Sequence, residues 1–420
     1  MTATDPSSRV VIVSSDGHAG AALHEYKPYL EQRWHPEFDE WAASFVDPWA
    51  DLQDSEIAAG VVSASSRYNW ESANRLHAVE SDGVVAEVLF PNTAPPFLPG
   101  NVLACHVPLT RDEYVRRMAG LRAHNRWLAD FCAAAPGRRA GIGQILLNDV
   151  DDALAEIRWI KDAGLRGVLL PASAPRARVD LYYPRYEPIW ELCAELDVPV
   201  HVHATLPADP ISDEHGIAGP TIGQIEGPFY SRRGFSHLVF AGVFDRVPGL
   251  KFVFTETRSG WIPGYLAELD GYVRAATTPG TVASILGGRA ARAIRRLPSE
   301  YFESNCFLGA SLITRGECDA RYEVGVDKIM YGSDFPHSEG TYPYTREAIR
   351  LVFETVPDDE LLDMLAANAA RLYDLDMSLL QGHADRVGPT LADLRRPLRA
   401  DELPKDSASP TFGAQAGFQK

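Results

Sequence analysis

The stretch VVIVSSDGHAG, from Val10 to Gly20, joins an apolar run to a short polar segment. Four β-branched residues in succession are typical of a strand that is buried on both faces, as in a parallel sheet. Asp16 and His18 follow, and at strand spacing they share a face because successive side chains alternate. A carboxylate and an imidazole that converge at a strand end indicate half of a metal site or a hydrogen-bonded turn. These residues alone leave both interpretations open.

Similar apolar runs recur along the chain, and most are followed by a stretch with helical periodicity. The eight runs are VVIVSSD (10–16), VVAEVLFP (84–91), AGIGQILL (140–147), GVLLP (167–171), PVHVHA (199–204), KFVFTE (251–256), YFESNCF (301–307) and KIMYGSDFP (328–336). Helices are predicted over 111–135, 151–163, 188–196, 262–275 and 314–323. This alternation predicts an α/β fold, a closed (β/α)8 TIM barrel. An open doubly wound sheet is the competitor, but no GxGxxG motif follows any strand.

Three segments depart from the simple repeat. Residues 21–80 form a long insertion after the first strand, rich in tryptophan, tyrosine and turn residues, and we expect it to cap the active face of the barrel. A helical pattern at 357–376 closes the barrel, so residues 1–376 are predicted to be one domain. The tail, 377–420, is rich in proline, glycine, serine and charge, and we expect an extended arm or disorder there.

Composition narrows the class of protein. The chain has 420 residues, 45% of them hydrophobic, and a net charge of −17, which disfavours nucleic acid and anionic membrane surfaces as partners. Its five cysteines are widely spaced without a CxxC pair and are expected to be reduced thiols. The N-terminus has no apolar signal segment, and no run of about eighteen apolar residues occurs. We therefore expect a cytoplasmic protein that binds a small molecule.

Polar residues gather where the predicted strands end. They are Asp16 and His18 on the first strand, His201 and His203 on the fifth, Glu256 and Arg258 on the sixth, and Asp334 and His337 on the eighth. In a closed barrel the carboxyl ends of all strands meet at one mouth, where the chemistry occurs. All of these side chains except Arg258 can bind a metal ion or transfer protons. The coincidence favours the metal interpretation of Asp16 and His18.

Some of these residues keep two interpretations. His201 and His203 share a face but lie at different depths, so we expect His203 to be a ligand and His201 to contact substrate. Glu256 is either functional or a structural partner of Arg258 or of a neighbouring histidine. His337 lies in a loop after a proline and is expected to contact substrate or support a ligand rather than bind the metal itself.

From about residue 10 to 376 the chain resembles the amidohydrolase-related metal-dependent TIM-barrel enzymes. The similarity is to the branch of aminocarboxymuconate semialdehyde decarboxylase and the hydroxybenzoate-type decarboxylases. The matching elements are SDGHAG, NRWLADFCAAAPGRRAGIGQI, DVPVHVHA, PGLKFVFTETRSGWIP, YGSDFPHSEGTYP and ANAARLYDLD. In this order and spacing they are fairly specific.

The resemblance implies roles for individual residues. The acidic-x-His motif of the first strand corresponds to Asp16 and His18, the histidine ligand of strand five to His203, and the aspartate of strand eight, a ligand that also handles protons, to Asp334. Glu256 stands where the family commonly has a histidine, which puts the detailed chemistry in question. The fourth strand has no lysine that could bridge two ions, so the resemblance implies one divalent metal ion, Zn²⁺ or Mn²⁺.

Three functions remain open. The first is non-oxidative decarboxylation of a small carboxylated aromatic or unsaturated acid, with Asp334 as proton donor and Glu256 or His337 as relay. The second is metal-assisted hydrolysis of an amide, lactone or related bond, and the third is a ligand-binding barrel without turnover. Arg258 and Arg67 are expected to bind a second anionic group of the substrate. Family analogy predicts a homodimer.

Overall fold

The computed structural model describes residues 5–46, 66–99, 105–173, 179–204 and 218–416. Within these ranges, eight strands form one sheet. The strands are β1 (Val13–Ala19), β2 (Ala86–Pro91), β3 (Arg139–Gln144), β4 (Gly167–Leu169), β5 (Val200–His203), β6 (Phe252–Thr255), β7 (Cys306–Ser311) and β8 (Ile329–Gly332). Their spatial order follows the chain, and each consecutive pair is parallel.

The two edges of this sheet meet and close it. Gly17 of β1 forms a parallel bridge with Phe335, just beyond β8. The amide of Asp334 donates to the carbonyl of Asp16 over 2.9 Å, and the amide of His18 donates to the carbonyl of Phe335 over 2.7 Å. Because eight parallel strands close in chain order with helices between them, the predicted (β/α)8 barrel is confirmed.

Helices surround the barrel. Those of the first half are α1 (His35–Ser44), α2 (Ser72–Ser81), α3 (Arg111–Ala133), α4 (Val150–Asp162), α5 (Glu187–Glu195), α6 (Gly219–Phe240), α7 (Val243–Arg246), α8 (Ile262–Thr277) and α9 (Val282–Leu286). Those of the second half are α10 (Gly288–Ala293), α11 (Pro298–Asn305), α12 (Arg315–Asp319), α13 (Arg321–Val324), α14 (Thr345–Val352), α15 (Asp358–Leu362), α16 (Asn368–Tyr373), α17 (Met377–Val387), α18 (Leu391–Arg395) and α19 (Pro410–Ala416). A π-helical turn, Asp363–Ala367, joins α15 to α16. Across the ranges given above, no helix combines the length and apolar character needed to cross a membrane.

Most of the predicted helices occur within a few residues of their expected bounds, but two segments were predicted wrongly. YFESNCF is not one strand, because α11 continues to Asn305 and β7 begins at Cys306. Pro298 opens that helix, and the side chain of Glu300 accepts the amide of Leu297, a helix-start signal that the apolar run concealed. The sequence also did not predict α6, whose glycines and prolines weaken its helical propensity. Packing against the barrel stabilises α6 instead.

The inside of the barrel is apolar below its mouth. Val13, Val88, Ile142, Val253 and Met330, from five different strands, have no exposed surface and belong to one hydrophobic cluster. An interior filled in this way excludes water from the lower part of the barrel. Polar side chains at the carboxyl ends of the strands therefore collect in a single layer above it.

The expectation of an extended arm or disorder over 377–420 is wrong for the described residues up to 416. Helices α17, α18 and α19 lie there, and Leu380 and Leu391 are buried. The backbone also pairs with the N-terminal segment, since the amide of Val10 donates to Pro389 over 2.9 Å and that of Leu391 to Ser8 over 3.0 Å. The prediction of disorder was based on the polar composition of the tail and overlooked a few leucines that are spaced so that they can be buried. The division of the chain at residue 376 stays a prediction.

The insertion at 21–80 contains α1, α2 and short 3₁₀ turns in its described part. Phe38 of α1 is fully buried, and Trp41 stacks beside Phe97 with ring centroids 5.8 Å apart. Tyr68 lies with its ring 5.2 Å from that of Phe335, next to the closure of the barrel. The aromatic residues of the insertion thus pack against the barrel, while Trp49 lies outside the described residues.

Candidate metal centre and active site

Four side chains from three strand ends converge at the mouth of the barrel. Nε2 of His18 lies 3.4 Å from Oδ1 of Asp16 and 3.2 Å from Oδ1 of Asp334. Nε2 of His203 lies 3.4 Å from the same Oδ1 of Asp16. All four residues are almost fully buried, with at most 2% of their surface exposed. The strand-end residues that the sequence singled out as ligands therefore form one cluster.

A β-bulge shapes the first of these strands. Ser14 pairs with Glu87 and Gly17 with Leu89, so β1 contains one residue more than β2 over this stretch. Bulges redirect side chains and are common beside active sites. Asp16 lies within this irregular stretch, and its carboxylate still meets His18. The sequence suggested a shared face for the two residues, but the bulge was not predicted.

Backbone carbonyls orient both imidazoles. Nδ1 of His18 lies 3.2 Å from the carbonyl of Pro91, and Nδ1 of His203 lies 2.9 Å from the carbonyl of Ala204. A nitrogen that donates to a carbonyl must carry the proton, which leaves Nε2 of a neutral imidazole with a free lone pair. In both residues that Nε2 faces the cluster. This second hydrogen bond is typical of histidines that bind metal ions.

Asp16 is held as a carboxylate. Burial opposes ionisation, but His203 and His18 outweigh it and lower the pKa of Asp16 below its usual range. Its Oδ2 accepts a hydrogen bond from the hydroxyl of Ser311, at the end of β7. Burial likewise disfavours a charged His18, but the nearby carboxylates of Asp16 and Asp334 raise its pKa well above the ordinary value. The cluster thus holds opposite charges close together.

Asp334 adopts a left-handed backbone conformation with φ of 59°. Aspartate tolerates this region better than most residues but is uncommon there, and such positions concentrate at functional sites. Its Oδ1 lies 2.9 Å from Nδ1 of His337 as well as near His18. Its Oδ2 is buried and has no hydrogen-bond partner among the described residues. One oxygen of Asp334 is therefore anchored, and the other is available.

The residues present fit a divalent cation. Nε2 of His18 is a buried polar atom without an assigned hydrogen-bond partner in the described residues, and such atoms are rare unless something binds them. Asp16, His18, His203 and Glu256 can each offer a ligand atom within 4.8 Å of the others, as can His18, Asp334 and His337. Imidazole nitrogens and carboxylate oxygens suit Zn²⁺ and Mn²⁺.

Glu256 also reaches the cluster. Its Oε2 lies 3.6 Å from Nδ1 of His203, and 23% of its side chain is exposed. Burial, together with the charges of Asp334 and Asp16, raises the pKa of Glu256 well above its ordinary value. Its backbone is left-handed, with φ of 56°. Glu256 is thus a carboxyl group held next to the metal cluster rather than a partner of Arg258.

His337 connects the cluster with the surface. Its Nε2 lies 3.2 Å from Oδ1 of Asn92, and 24% of its side chain is exposed. Its ring centroid lies 4.1 Å from that of His18. Asn92 in turn donates to Asn69 over 2.8 Å. The sequence gave no signal for this role of Asn92.

The remaining predicted site residues are not part of the cluster. His201 lies deeper in the barrel, where its Nδ1 is 3.2 Å from the carbonyl of Val168 and its Nε2 3.0 Å from the hydroxyl of Tyr373. Burial lowers the pKa of His201 to about 3, and its contacts give no support for substrate binding. Arg67 is 77% exposed and pairs with Glu71 at 3.3 Å. Arg258 follows β6 at the mouth with an exposed side chain.

A buried ion pair that the sequence analysis missed supports the site. Arg75 donates to Glu87 through two nitrogens, over 2.9 and 2.7 Å, and neither side chain is more than 2% exposed. The same guanidinium donates to the carbonyls of His18 over 2.7 Å and Phe335 over 3.2 Å. Arg75 thus joins β1 to the segment after β8. The glutamate within the apolar run VVAEVLFP was the available signal, because a buried charge requires a partner.

Comparison with known proteins identifies the family. The family model described as "Amidohydrolase" matches residues 82–375, well over half of the chain. Gamma-resorcylate decarboxylase of Rhodococcus jostii is 29% identical over 66% of this chain and 83% of its own length. That of Polaromonas sp. is 31% identical over 51% of this chain and 65% of its own length.

The fold is also that of solved structures. 5-Carboxyvanillate decarboxylase from Sphingomonas paucimobilis has 20% identity and a TM-score of 0.61, covering 87% of this chain and 100% of its own. The dihydroxybenzoic acid decarboxylase of Polaromonas sp., solved with bound manganese and the inhibitor 2-nitroresorcinol, has 20% identity and a TM-score of 0.59, covering 88% of this chain and 99% of its own. With the barrel and its metal-compatible cluster, the family match shows that this chain belongs to the amidohydrolase family.

Proposed function

We propose that this protein is a metal-dependent enzyme that removes the carboxyl group of a hydroxylated aromatic acid without oxidation. The observation that carries the proposal is the free Oδ2 of Asp334, a buried carboxyl oxygen beside a cluster fit for a cation. The curated relatives named gamma-resorcylate decarboxylase support the choice of reaction and substrate class.

In this proposal Asp16, His18, His203 and Asp334 hold one divalent ion, Zn²⁺ or Mn²⁺. When bound, the ion supplies positive charge that binds the substrate carboxylate or a neighbouring oxygen and offsets the negative charge of the protein. The bound manganese of a relative supports Mn²⁺. The apolar end of β4, with Leu169 and Leu170, offers no ligand for a second ion.

Asp334 is the proposed proton donor, and it must first take up a proton, because His337 and His18 outweigh burial and lower its pKa below the ordinary value. A proton moves from its Oδ2 to the ring carbon that bears the carboxylate, the bond between that carbon and the carboxyl carbon breaks, and its electron pair stays with the ring. Carbon dioxide leaves, and the proton that Asp334 gave up becomes the new ring hydrogen. Because Oδ1 is held by His337, Oδ2 points in a fixed direction, which favours transfer to a positioned carbon.

The neighbouring groups restore and position this proton. His337 contacts both Asp334 and Asn92 and is partly exposed, so it provides a route by which Asp334 regains a proton from solvent. Glu256 replaces the usual histidine of the family and is the second proposed relay. Arg258, exposed at the mouth, is proposed to bind an anionic group of the substrate. Arg67, paired with Glu71, is dropped from the substrate contacts.

Product analysis tests the reaction. The metal-loaded protein is incubated with 2,6-dihydroxybenzoate in ¹⁸O-labelled water, and carbon dioxide and the aromatic product are measured. Release of carbon dioxide with equal formation of resorcinol supports the proposal. Turnover of amides or lactones that incorporates ¹⁸O, without carbon dioxide from carboxylated aromatics, would identify a hydrolase instead. Assembly as a homodimer in the cytoplasm stays a prediction.

A further inference from the structure

Gln144, the last residue of β3, has a buried side-chain amide without a hydrogen-bond partner. The residue is 1% exposed, and neither Oε1 nor Nε2 has a partner among the described residues. Leaving a buried amide unsatisfied is costly, and nearly all such groups in proteins are paired. The free ligand atoms of His18 and Asp334 have the same signature. Both polar atoms of the Gln144 side chain are thus unpartnered, and a ligand with matching polar atoms would satisfy them.

Its side chain points into the barrel. Ile142 and Ala140, two and four residues earlier on the same strand, belong to the same hydrophobic cluster as the interior residues Val13 and Val253. The alternate positions face outward, since a Cβ at Gly141 would meet Leu165 and one at Gly143 would meet Ile160 of α4. Because side chains alternate along a strand, Gln144 lies on the inner face.

Strand register places Gln144 at the height of the metal cluster. In barrels of this type the strands tilt, so a residue and its paired partner on the next strand do not lie at the same height. The residue at the same height lies about one position further along that next strand. The strand pairing from β1 through β2 to β3 aligns His18 with Ile142. Two strands are crossed, so the residue of β3 at the height of His18 is Gln144, two positions further along. The pairing from β3 through β4 to β5 aligns Gln144 with His201. By the same step of two positions, the residue of β5 at the height of Gln144 is His203. His18, Gln144 and His203 therefore occupy one layer.

Contacts elsewhere in the layer support this assignment. The same step from His203 across β6 leads through Gly309 to Ser311 of β7. His18, His203 and Ser311 all contact Asp16, so three members of the layer meet around one carboxylate. Gln144 is the remaining member from the odd-numbered strands.

The backbone of Gln144 is firmly held. Asn125 of α3 accepts its amide over 2.8 Å and donates to its carbonyl over 2.9 Å. Asn125 also donates to Glu156 over 2.8 Å, and Glu156 pairs with Arg122 and Arg126. A buried network thus fixes the strand end while the side-chain amide stays unsatisfied. Such preorganisation is typical of groups that recognise a ligand.

We propose that the amide of Gln144 recognises a hydroxyl substituent of the substrate ring, an inference that rests on the proposed function. A primary amide offers one acceptor and two donors. A substrate with only a carboxylate can use only the N–H donors of the Gln144 amide. A substrate with a hydroxyl beside its carboxylate can use both ends of the amide, because the hydroxyl donates to Oε1 while a carboxylate oxygen accepts from Nε2. Gln144 therefore selects hydroxylated acids over the unsubstituted acid and does not act on the reacting atoms.

The test compares the metal-loaded wild-type protein with Gln144→Leu, which keeps the size and removes the amide. Binding of 2,6-dihydroxybenzoate and of benzoate is measured by calorimetry, and melting temperature is measured without ligand. We expect Gln144→Leu to raise the melting temperature, to weaken binding of 2,6-dihydroxybenzoate at least about tenfold and to change binding of benzoate less than about twofold. Thr255→Val, which removes an unpartnered hydroxyl at the end of β6, is the control and should keep the discrimination.

Equal binding of 2,6-dihydroxybenzoate by wild type and Gln144→Leu, or no binding by either, overturns the inference. A lower melting temperature with unchanged discrimination also overturns it, because the amide then has a buried water as its partner. Binding that depends on Gln144 without release of carbon dioxide supports the inference while it contradicts the proposed reaction. The two proposals therefore fail in different ways.

Discussion

Replacing Arg75 with methionine should lower the free energy of unfolding and disturb the candidate metal cluster, and a second substitution at Glu87 should separate these two effects. The substitution leaves Glu87 as an uncompensated buried charge, since both side chains of the pair are almost fully buried. Breaking a buried pair by removing one partner costs about 3–5 kcal/mol. The carbonyls of His18, Tyr68 and Phe335 also lose a donor, each with a cost of about 1 kcal/mol. We expect Arg75→Met to lose at least about 3 kcal/mol of unfolding free energy.

The double variant Arg75→Met with Glu87→Leu removes the lone charge and should regain most of that loss. It still lacks the donor that holds His18 and Phe335 together, so its metal affinity should stay reduced about tenfold or more, as for other residues that orient ligands. Urea unfolding of the metal-free protein and a competitive metal titration measure the two effects. Arg67→Met, which breaks an exposed pair, should lose less than about 1 kcal/mol. Unfolding of Arg75→Met within 1 kcal/mol of wild type would refute this reasoning.

Four further outcomes are expected. Asp334→Asn should keep the fold, as judged by circular dichroism, but lose at least about 100-fold in the rate of carbon dioxide release, because the amide cannot give up the proton; near-normal turnover would remove Asp334 from the mechanism. Ser311→Ala should weaken metal binding about 10-fold through loss of its bond to Asp16, measured by competitive titration. Tyr373→Phe should destabilise the protein by about 1–3 kcal/mol in urea, since Nε2 of His201 loses its partner, while KM stays unchanged; an altered KM would give His201 a role in substrate binding. Burial raises the pKa of Asp82 to about 7, so the stability that its protonated form contributes is full below the unfolded value of 3.8 and is lost as pH rises through about 7. Asp82→Asn should therefore gain stability relative to wild type by up to about 1.4 kcal/mol per pH unit across that window. Parallel curves of unfolding free energy against pH for the two proteins would contradict this.

The barrel could be predicted from the sequence because each of its strands and helices has a pattern that lies within a short stretch of the chain. Each apolar run, and each helix such as Arg111–Ala133, has a periodicity that a short window reveals. The candidate ligands were found for a related reason, since parallel strands bring their carboxyl ends to one face. Asp16, His18, His203 and Asp334 were singled out from the strand ends and from the family resemblance, without knowledge of the packing.

Features that depend on tertiary packing were not predicted. The helix Gly219–Phe240 is stabilised by burial of residues such as Phe235 in spite of its glycines and prolines. The pairing of Arg75 with Glu87 depends on how α2 lies over β2, which no local pattern encodes. The position of Gln144 in the metal layer depends on strand tilt and register. The greater depth of His201 followed from strand spacing, but its contact with the hydroxyl of Tyr373 did not, because Tyr373 is distant in sequence.

The central claim is that Asp16, His18, His203 and Asp334 form one metal centre. Elemental mass spectrometry of the purified wild-type protein, Asp16→Ala and His203→Ala tests it most directly, with His24→Ala as a control outside the cluster. We expect one equivalent of manganese or zinc per chain in the wild type and control, and loss of that ion in Asp16→Ala and His203→Ala. A wild-type protein that holds no ion after incubation with manganese and zinc, or ligand variants that keep a full equivalent, would contradict it.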